Sequence, residues 1–302
     1  RSPVTTSRSG RSAFMMRSTL SAYSWANNEL EKWRSVMCAI LMGPAIGGNG
    51  DILHPGRSPF TAARHHQDVN PEEALEELLA ELRGRANEAS RQAMARYGID
   101  TGSAYGGTSV PQLRAMARRA GRDHGLAAAL WDTGVLEARL LATMVDEPAK
   151  VTEAQMEAWA SDLRSWDLCD QTCTNLFRRT PYAWPKAIEW STRQEEFVKR
   201  AGFVLMAVLA VHDKKAGNVE FTTFLDAIER ESADPRNYVR KAVNWALRQI
   251  GKRNLELNRA AVERGLRISK RDSKAARWIA ADALRELRSD PVLSRLSARK
   301  RS

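Results

Sequence analysis

The sequence predicts an all-α protein, a helical-repeat solenoid (an α-α superhelix). Three observations predict it. Apolar residues recur at helical spacing over about three quarters of the 302 residues. The periodic stretches follow one another across short breaks. No alternating-period run is long enough to make a strand.

The elements begin at Asn70-Pro71-Glu72-Glu73, where Asn70 can cap, Pro71 suits the first helical position and the acids favour the helix dipole. Leu75, Leu78, Leu79 and Leu82 follow at helical spacing. Val110–Ala120 opens on Ser109-Val110-Pro111, Leu126–Trp131 comes next, and Val135–Val145 ends before Glu147-Pro148. Thr152–Leu163 puts Met156, Trp159 and Leu163 on one face, and Trp166–Arg179 stops at Thr180-Pro181. Glu195–Val211 is apolar nearly all round, the mark of a buried central helix. Phe221–Arg230, Arg236–Ile250, Asn254–Leu266 and Lys274–Leu287 complete the series. Paired helices of this length in succession point to a repeat of the HEAT or armadillo kind, although the repeats share no sharp sequence signature.

Three segments result: an extension over 1–69, a repeat domain over 70–288 and a basic C-terminal tail over 289–302. The extension is rich in Arg and Ser, has no acid before Glu29, and breaks its apolar run at Gly43-Pro44. Gly47-Gly48-Asn49-Gly50, Pro55 and Pro59 then read as loop or disorder. A transit peptide and an upstream extension without a fold are both open readings.

A net charge of +11 favours a polyanionic partner, of which nucleic acid is the commonest. Nine Trp against seven Phe is a second oddity, because aromatics among cations suit base or sugar contacts. Cys38, Cys169 and Cys173 cannot build a disulfide framework and fit a reducing compartment, so a cytoplasmic location is expected. Neither the cysteines nor the five histidines have metal-site spacing, and no metal or other cofactor is expected. No apolar run of about 18 residues exists to span a membrane.

Asp234–Arg253 is the most informative stretch. On a wheel at about 100° per residue, Val239, Val243, Ala246 and Ile250 form the core stripe. Tyr238, Lys241, Trp245, Arg248 and Lys252 lie roughly opposite. Trp245 therefore sits among cations, either packing on the next repeat or serving as a stacking platform with phosphate anchors. In Trp166-Asp167-Leu168-Cys169-Asp170, Trp166 and Asp170 are four apart and share a face. A capping or solvated acidic pair is the plain reading of that motif alone. Lys199-Arg200, at the head of the apolar helix, is either a charge cluster or a phosphate contact.

Together, Trp166 to Asp170 (W-D-x-x-D), Val198 to Phe203 (V-K-R-A-x-F) and Lys241 to Lys252 (K-A-V-N-W-A-L-R-x-x-G-K) resemble the AlkD-like DNA alkylation-repair glycosylases. Tyr97-Gly98-Ile99 and Ser109-Val110-Pro111-Gln112-Leu113-Arg114 agree with them upstream, so the likeness runs from about Pro71 to Leu287. The resemblance implies HEAT-like repeats with a concave basic face that cradles double-stranded DNA, and cofactor-free hydrolysis of the N-glycosidic bond of N3- and N7-alkylated purines. It implies Asp170 as the catalytic carboxylate, Trp166 and Trp245 packing on the lesion nucleotide's sugar and backbone, and Arg200 beside the backbone. Lys199, Tyr238, Lys241, Arg248 and Lys252 are the expected DNA contacts. The family's further aromatic matches either Tyr97 or Tyr105. A monomer is expected. The alternative is a non-catalytic HEAT-repeat module that binds DNA or protein, which needs no acid between two Trp.

Overall fold

The structure, a computed structural model, describes residues 70–299; the extension 1–69 and residues 300–302 lie outside the described residues. Fourteen α-helices and one 3-10 turn make up the described residues, with no strand among them. The chain enters through α1 (Pro71–Gly84) and α2 (Glu88–Arg96). One row then comprises α3 (Val110–Ala120), α5 (Leu136–Val145), α7 (Trp166–Asn175), α9 (Glu196–His212), α11 (Asn237–Gly251) and α13 (Lys274–Leu287), each packed on the next. The alternate helices are α4 (His124–Asp132), α6 (Glu153–Ser161), α8 (Ala183–Ser191), α10 (Asn218–Glu231) and α12 (Leu255–Ser269). Of these α8, α10 and α12 stack in succession, and α14 (Asp290–Arg299) closes over α12 and α13.

Local signals start the helices where the sequence analysis places them. Asn70 Oδ1 accepts from Glu72 N at 3.2 Å, and Pro71 occupies the first turn of α1. Asp123 caps α4 through Leu126 N (2.8 Å), Thr152 caps α6 through Gln155 N (3.1 Å) and Asn254 caps α12 through Leu257 N (2.9 Å). Such caps satisfy amide groups that the first turn leaves without partners, each contributing about 1 kcal/mol.

Burial then decides the rows. From Val198 to Ala210 every residue of α9 is buried, as its all-round apolar pattern requires. It has helices against it on several sides: α7 and α11 in its own row, and α8 behind. Gly202 permits the α8 contact, since a Cβ there would lie 2.6 Å from Ser191 N.

Four differences from the sequence reading have local causes. Helix α7 ends at Asn175, and Phe177–Arg179 tightens into a 3-10 turn. Helix α8 forms between Pro181 and the loop after Ser191, with Pro185 in its first turn, where a missing amide costs nothing. Helix α2 buries none of its residues, so it has no apolar stripe to read. The expected tail 289–302 carries α14, which buries Val292 and Leu296. No described helix is long and apolar enough to cross a membrane.

Candidate active site

The abundance of Trp finds its explanation mainly in packing. Of the seven described Trp, five are buried: Trp131, Trp159, Trp166, Trp190 and Trp245. Trp131 and Trp159 stack with centroids 4.0 Å apart and planes within 3°. Each buried indole N–H that leaves its ring needs an acceptor. Trp131 donates to Asp162 (3.0 Å), Trp190 to Glu157 (2.8 Å), and Trp166 to the Tyr97 carbonyl (2.9 Å).

The last of these marks the site. Trp166 opens α7, and Asp170 follows one turn later on the same face, fully buried. The Asp170 carboxylate accepts from Arg200 Nε at 2.9 Å and from Nη2 at 2.8 Å, a two-pronged pair between α7 and α9 with neither side chain reaching solvent. The third arm of Arg200, Nη1, donates to the Tyr238 carbonyl at 2.7 Å, where α11 begins. Tyr238 in turn donates its hydroxyl to the Gly98 carbonyl at 3.2 Å and rests its ring 5.4 Å from Phe197. Residues 97–98 therefore form a strap, fastened by two carbonyls across the N-terminal ends of α7 and α11. Gly98 has φ +72°, and a Cβ there would collide with the Tyr238 hydroxyl, so only glycine fits the crossing.

The strap continues into a second anchor. Glu137 is buried and accepts from Tyr105 N at 3.0 Å and Gly106 N at 2.7 Å. Of the two candidate aromatics, Tyr97 is 57% exposed, while Tyr105 is half-buried. Tyr97 is the side chain there that an incoming ligand can reach.

Burial pushes the Asp170 carboxyl up to about 6, against the pull of the Arg200 charge and its N–H donors, with the neighbouring Asp167 adding to the rise. For Arg200, burial disfavours the cation, but Asp170 outweighs it and holds the guanidinium above its ordinary value. At neutral pH the pair is thus a carboxylate facing a guanidinium. Asp167 accepts from Ser165 Oγ at 2.6 Å, and burial raises its pKa.

Four of the sequence-selected residues are thereby brought together: Trp166, Asp170, Arg200 and Tyr238. The others are not. Trp245 is 1% exposed, which fits the reading that it packs within the repeats and corrects the alternative of an open stacking platform. Helix α11 lies between α9 and α13, so the flank opposite its first stripe is covered as well. Arg248 and Lys252 face α13, where both pair with Glu286, at 2.6 and 2.7 Å. Burial would raise Glu286, but the two cations bring it down to about 2. Lys199 is buried and pairs with Glu231 (2.7 Å) and Asp234 (3.3 Å). These three cations hold repeats together, which removes them from the expected basic face. Lys241 is half-buried, one turn into α11.

Sequence reasoning missed the strap's role because a backbone carbonyl has no side-chain signature. The one signal was Gly98 itself, inside the motif Tyr97-Gly98-Ile99. Among the described residues no group of three or more His, Cys, Asp or Glu is placed to hold a metal ion.

A family model described as DNA alkylation repair enzyme matches residues 78–287. Among solved structures, one is described as "a new family of proteins related to the HEAT-like repeat DNA glycosylases with affinity for branched DNA structures". It aligns with a TM-score of 0.59 and 18% identity, covering 70% of this chain and 95% of that one. At that identity the likeness establishes the fold, a HEAT-like repeat. The comparison with curated proteins returns no match.

Proposed function

Because the chain belongs to the DNA alkylation repair enzyme family, and so to DNA repair, we propose that it is a DNA N-glycosylase that releases N3- and N7-alkylated purines from duplex DNA. The observation that carries this reading is the Asp170 carboxylate, kept ionised by Arg200 at a fully buried position beside Trp166.

The chemistry asks little of a protein acid. A purine alkylated at N3 or N7 is already cationic, and it leaves as a neutral base carrying the electrons of the C1′–N bond. Positive charge grows on the deoxyribose as that bond breaks. A fixed carboxylate in low dielectric stabilises the charge and orients the water whose oxygen bonds to C1′. The proton of that water passes to the carboxylate or to solvent. Trp166 excludes water and offers a π face to a cationic group.

Asp170 touches no solvent in this arrangement, and we infer that the 97–98 strap, tied to Trp166 and Tyr238 beside it, is the part that lifts when substrate engages. Two hydrogen bonds, Trp166 to Tyr97 and Tyr238 to Gly98, fasten the described ends of that strap. At about 1 kcal/mol net each, opening lies within reach of DNA-binding energy.

The full enclosure of Asp170 favours a second reading, a DNA-binding member of the family in which the Asp170–Arg200 pair only ties α7 to α9. The two readings part in one experiment. Purified protein is incubated with methylated duplex DNA, and released N7-methylguanine and N3-methyladenine are quantified for wild type and Asp170→Asn. Release by wild type and none by a folded Asp170→Asn variant supports the enzyme. DNA binding without release by either protein supports the binding module.

A further inference from the structure

The C-terminal ends of α3, α7 and α9 carry a group of cations that the site above does not use. Arg114, Arg118 and Arg122 line an open cavity of about 300 Å³ with Ala117, Gly121 and Met144. Arg178 and Arg179 follow α7 in the 3-10 turn, and His212 closes α9, with Lys214 just beyond. Most arginines of the later repeats reach a carboxylate: Arg193, Arg236, Arg248, Arg264, Arg267 and Arg285 all do. Here they do not. Arg122 donates to the Asp146 carbonyl and Arg178 to the Thr174 carbonyl, and among the described residues neither these two nor Arg179 is ion-paired.

Helix dipoles explain one cation at each C-terminus. They do not explain several cations close enough to repel one another. Partial desolvation and then the Arg179 charge hold Arg178 below its ordinary value; Arg179 is lowered by desolvation and then by Arg122. His212 is driven down to about 4 by burial and by Arg178, Lys214 and Arg179, and so stays neutral at physiological pH. Its Nε2 is buried with no hydrogen-bond partner among the described residues. Gathering cations without counter-charges is unfavourable in the free protein, and an anion placed among them relieves it. Nearby acids do not serve: Asp146 is occupied by His124 (2.8 Å), Gln155 (2.8 Å) and Glu147 N (2.7 Å).

We propose that Arg118, Arg122, Arg178 and Arg179, at the C-terminal ends of this helix row, form a second anchor for DNA backbone phosphates, separate from the Asp170 site. Eight residues separate Asp170 from Arg178, roughly 12 Å at helical rise, which is within the width of one duplex. Such contacts fix position and carry no base selectivity. The inference rests on the proposal that the protein binds DNA, but not on its being a glycosylase.

The test is the salt dependence of full-chain binding to a short unmodified duplex. Each lost phosphate contact flattens the log–log slope by about 0.9, so Arg122→Ala/Arg179→Ala should flatten it by about 2 with an unchanged melting temperature. Both residues are exposed, so folding is not at stake. Arg122→Lys/Arg179→Lys should retain the wild-type slope. Arg259→Ala/Lys270→Ala, an equal charge loss at exposed positions on and just beyond α12, should retain it too. An unchanged slope in the first alanine pair overturns the proposal, as does an equal change in the α12 pair. A parallel arm uses inorganic phosphate. If phosphate stabilises wild type but not the first alanine pair, while the DNA slopes agree, the anchor takes free phosphate and the proposal falls. Absence of duplex binding by wild type sinks both readings. Binding without purine release sinks only the glycosylase.

Discussion

Replacing Asp170 with Asn changes few atoms but removes the carboxylate hydrogen-bonded to a guanidinium that has no exposed surface. The amide keeps one acceptor oxygen and points an NH2 group at Arg200, where a second acceptor stood. Breaking one side of a buried pair in this way costs about 3–5 kcal/mol, largely because the remaining charge stays desolvated. For a cooperative unit of this size each kcal/mol lowers the melting temperature by about 2–4 °C, so Asp170→Asn should melt roughly 6–20 °C below wild type. Removing both partners, as in Asp170→Leu/Arg200→Met, leaves no stranded charge and should recover most of the loss. Thermal unfolding followed by far-UV circular dichroism measures all three proteins. A single variant within about 2 °C of wild type would mean that water reaches the pair. A double variant no better than the single would mean that packing, not charge, sets the cost. Either result refutes the reasoning. The excision assay must accordingly be run below the variant's transition, because otherwise lost folding passes for lost chemistry.

Three further outcomes follow, two from Asp170 and one from Trp245. The raised Asp170 group, at about 6, requires kcat/KM for excision to fall as pH drops through about 6; an acid limb near 4 would mean a solvated carboxylate. Its effect on stability has the opposite sign: with the folded value above the unfolded one, this group's stabilisation is full below about 4 and lost as pH rises through about 6. Trp245→Ala should leave a core cavity costing about 3–5 kcal/mol, seen as a lower denaturation midpoint. An unchanged midpoint with weakened DNA binding would instead restore Trp245 to an open platform.

Much of the fold was legible because its signals are local. Ser109-Val110-Pro111 starts α3 and Lys274–Leu287 is read to the residue, since caps and stripes act within one helix. Helix α8 was hidden by Pro181 and Pro185, which read as a break although a first turn tolerates proline. The site was legible only in part. Trp166 and Asp170 share a turn, but the partner of Asp170 lies 30 residues away on another helix. The wheel of α11 placed Trp245 with Arg248 and Lys252 correctly on one side. It could not know that α13 brings Glu286 and Asp282 against that side. A periodicity describes one helix, whereas exposure belongs to the row.

The hydrogen bond from Tyr238 to Gly98 joins positions 140 apart in sequence. In an ideal repeat protein each unit touches only its neighbours, so either end can peel away without consequence for the middle. Here the segment after the first two helices is tied to α11, and peeling it away frees Tyr238, whose carbonyl accepts from Arg200. A break near the amino end should therefore be felt four helices beyond Asp170, turning a line of repeats into one cooperative block.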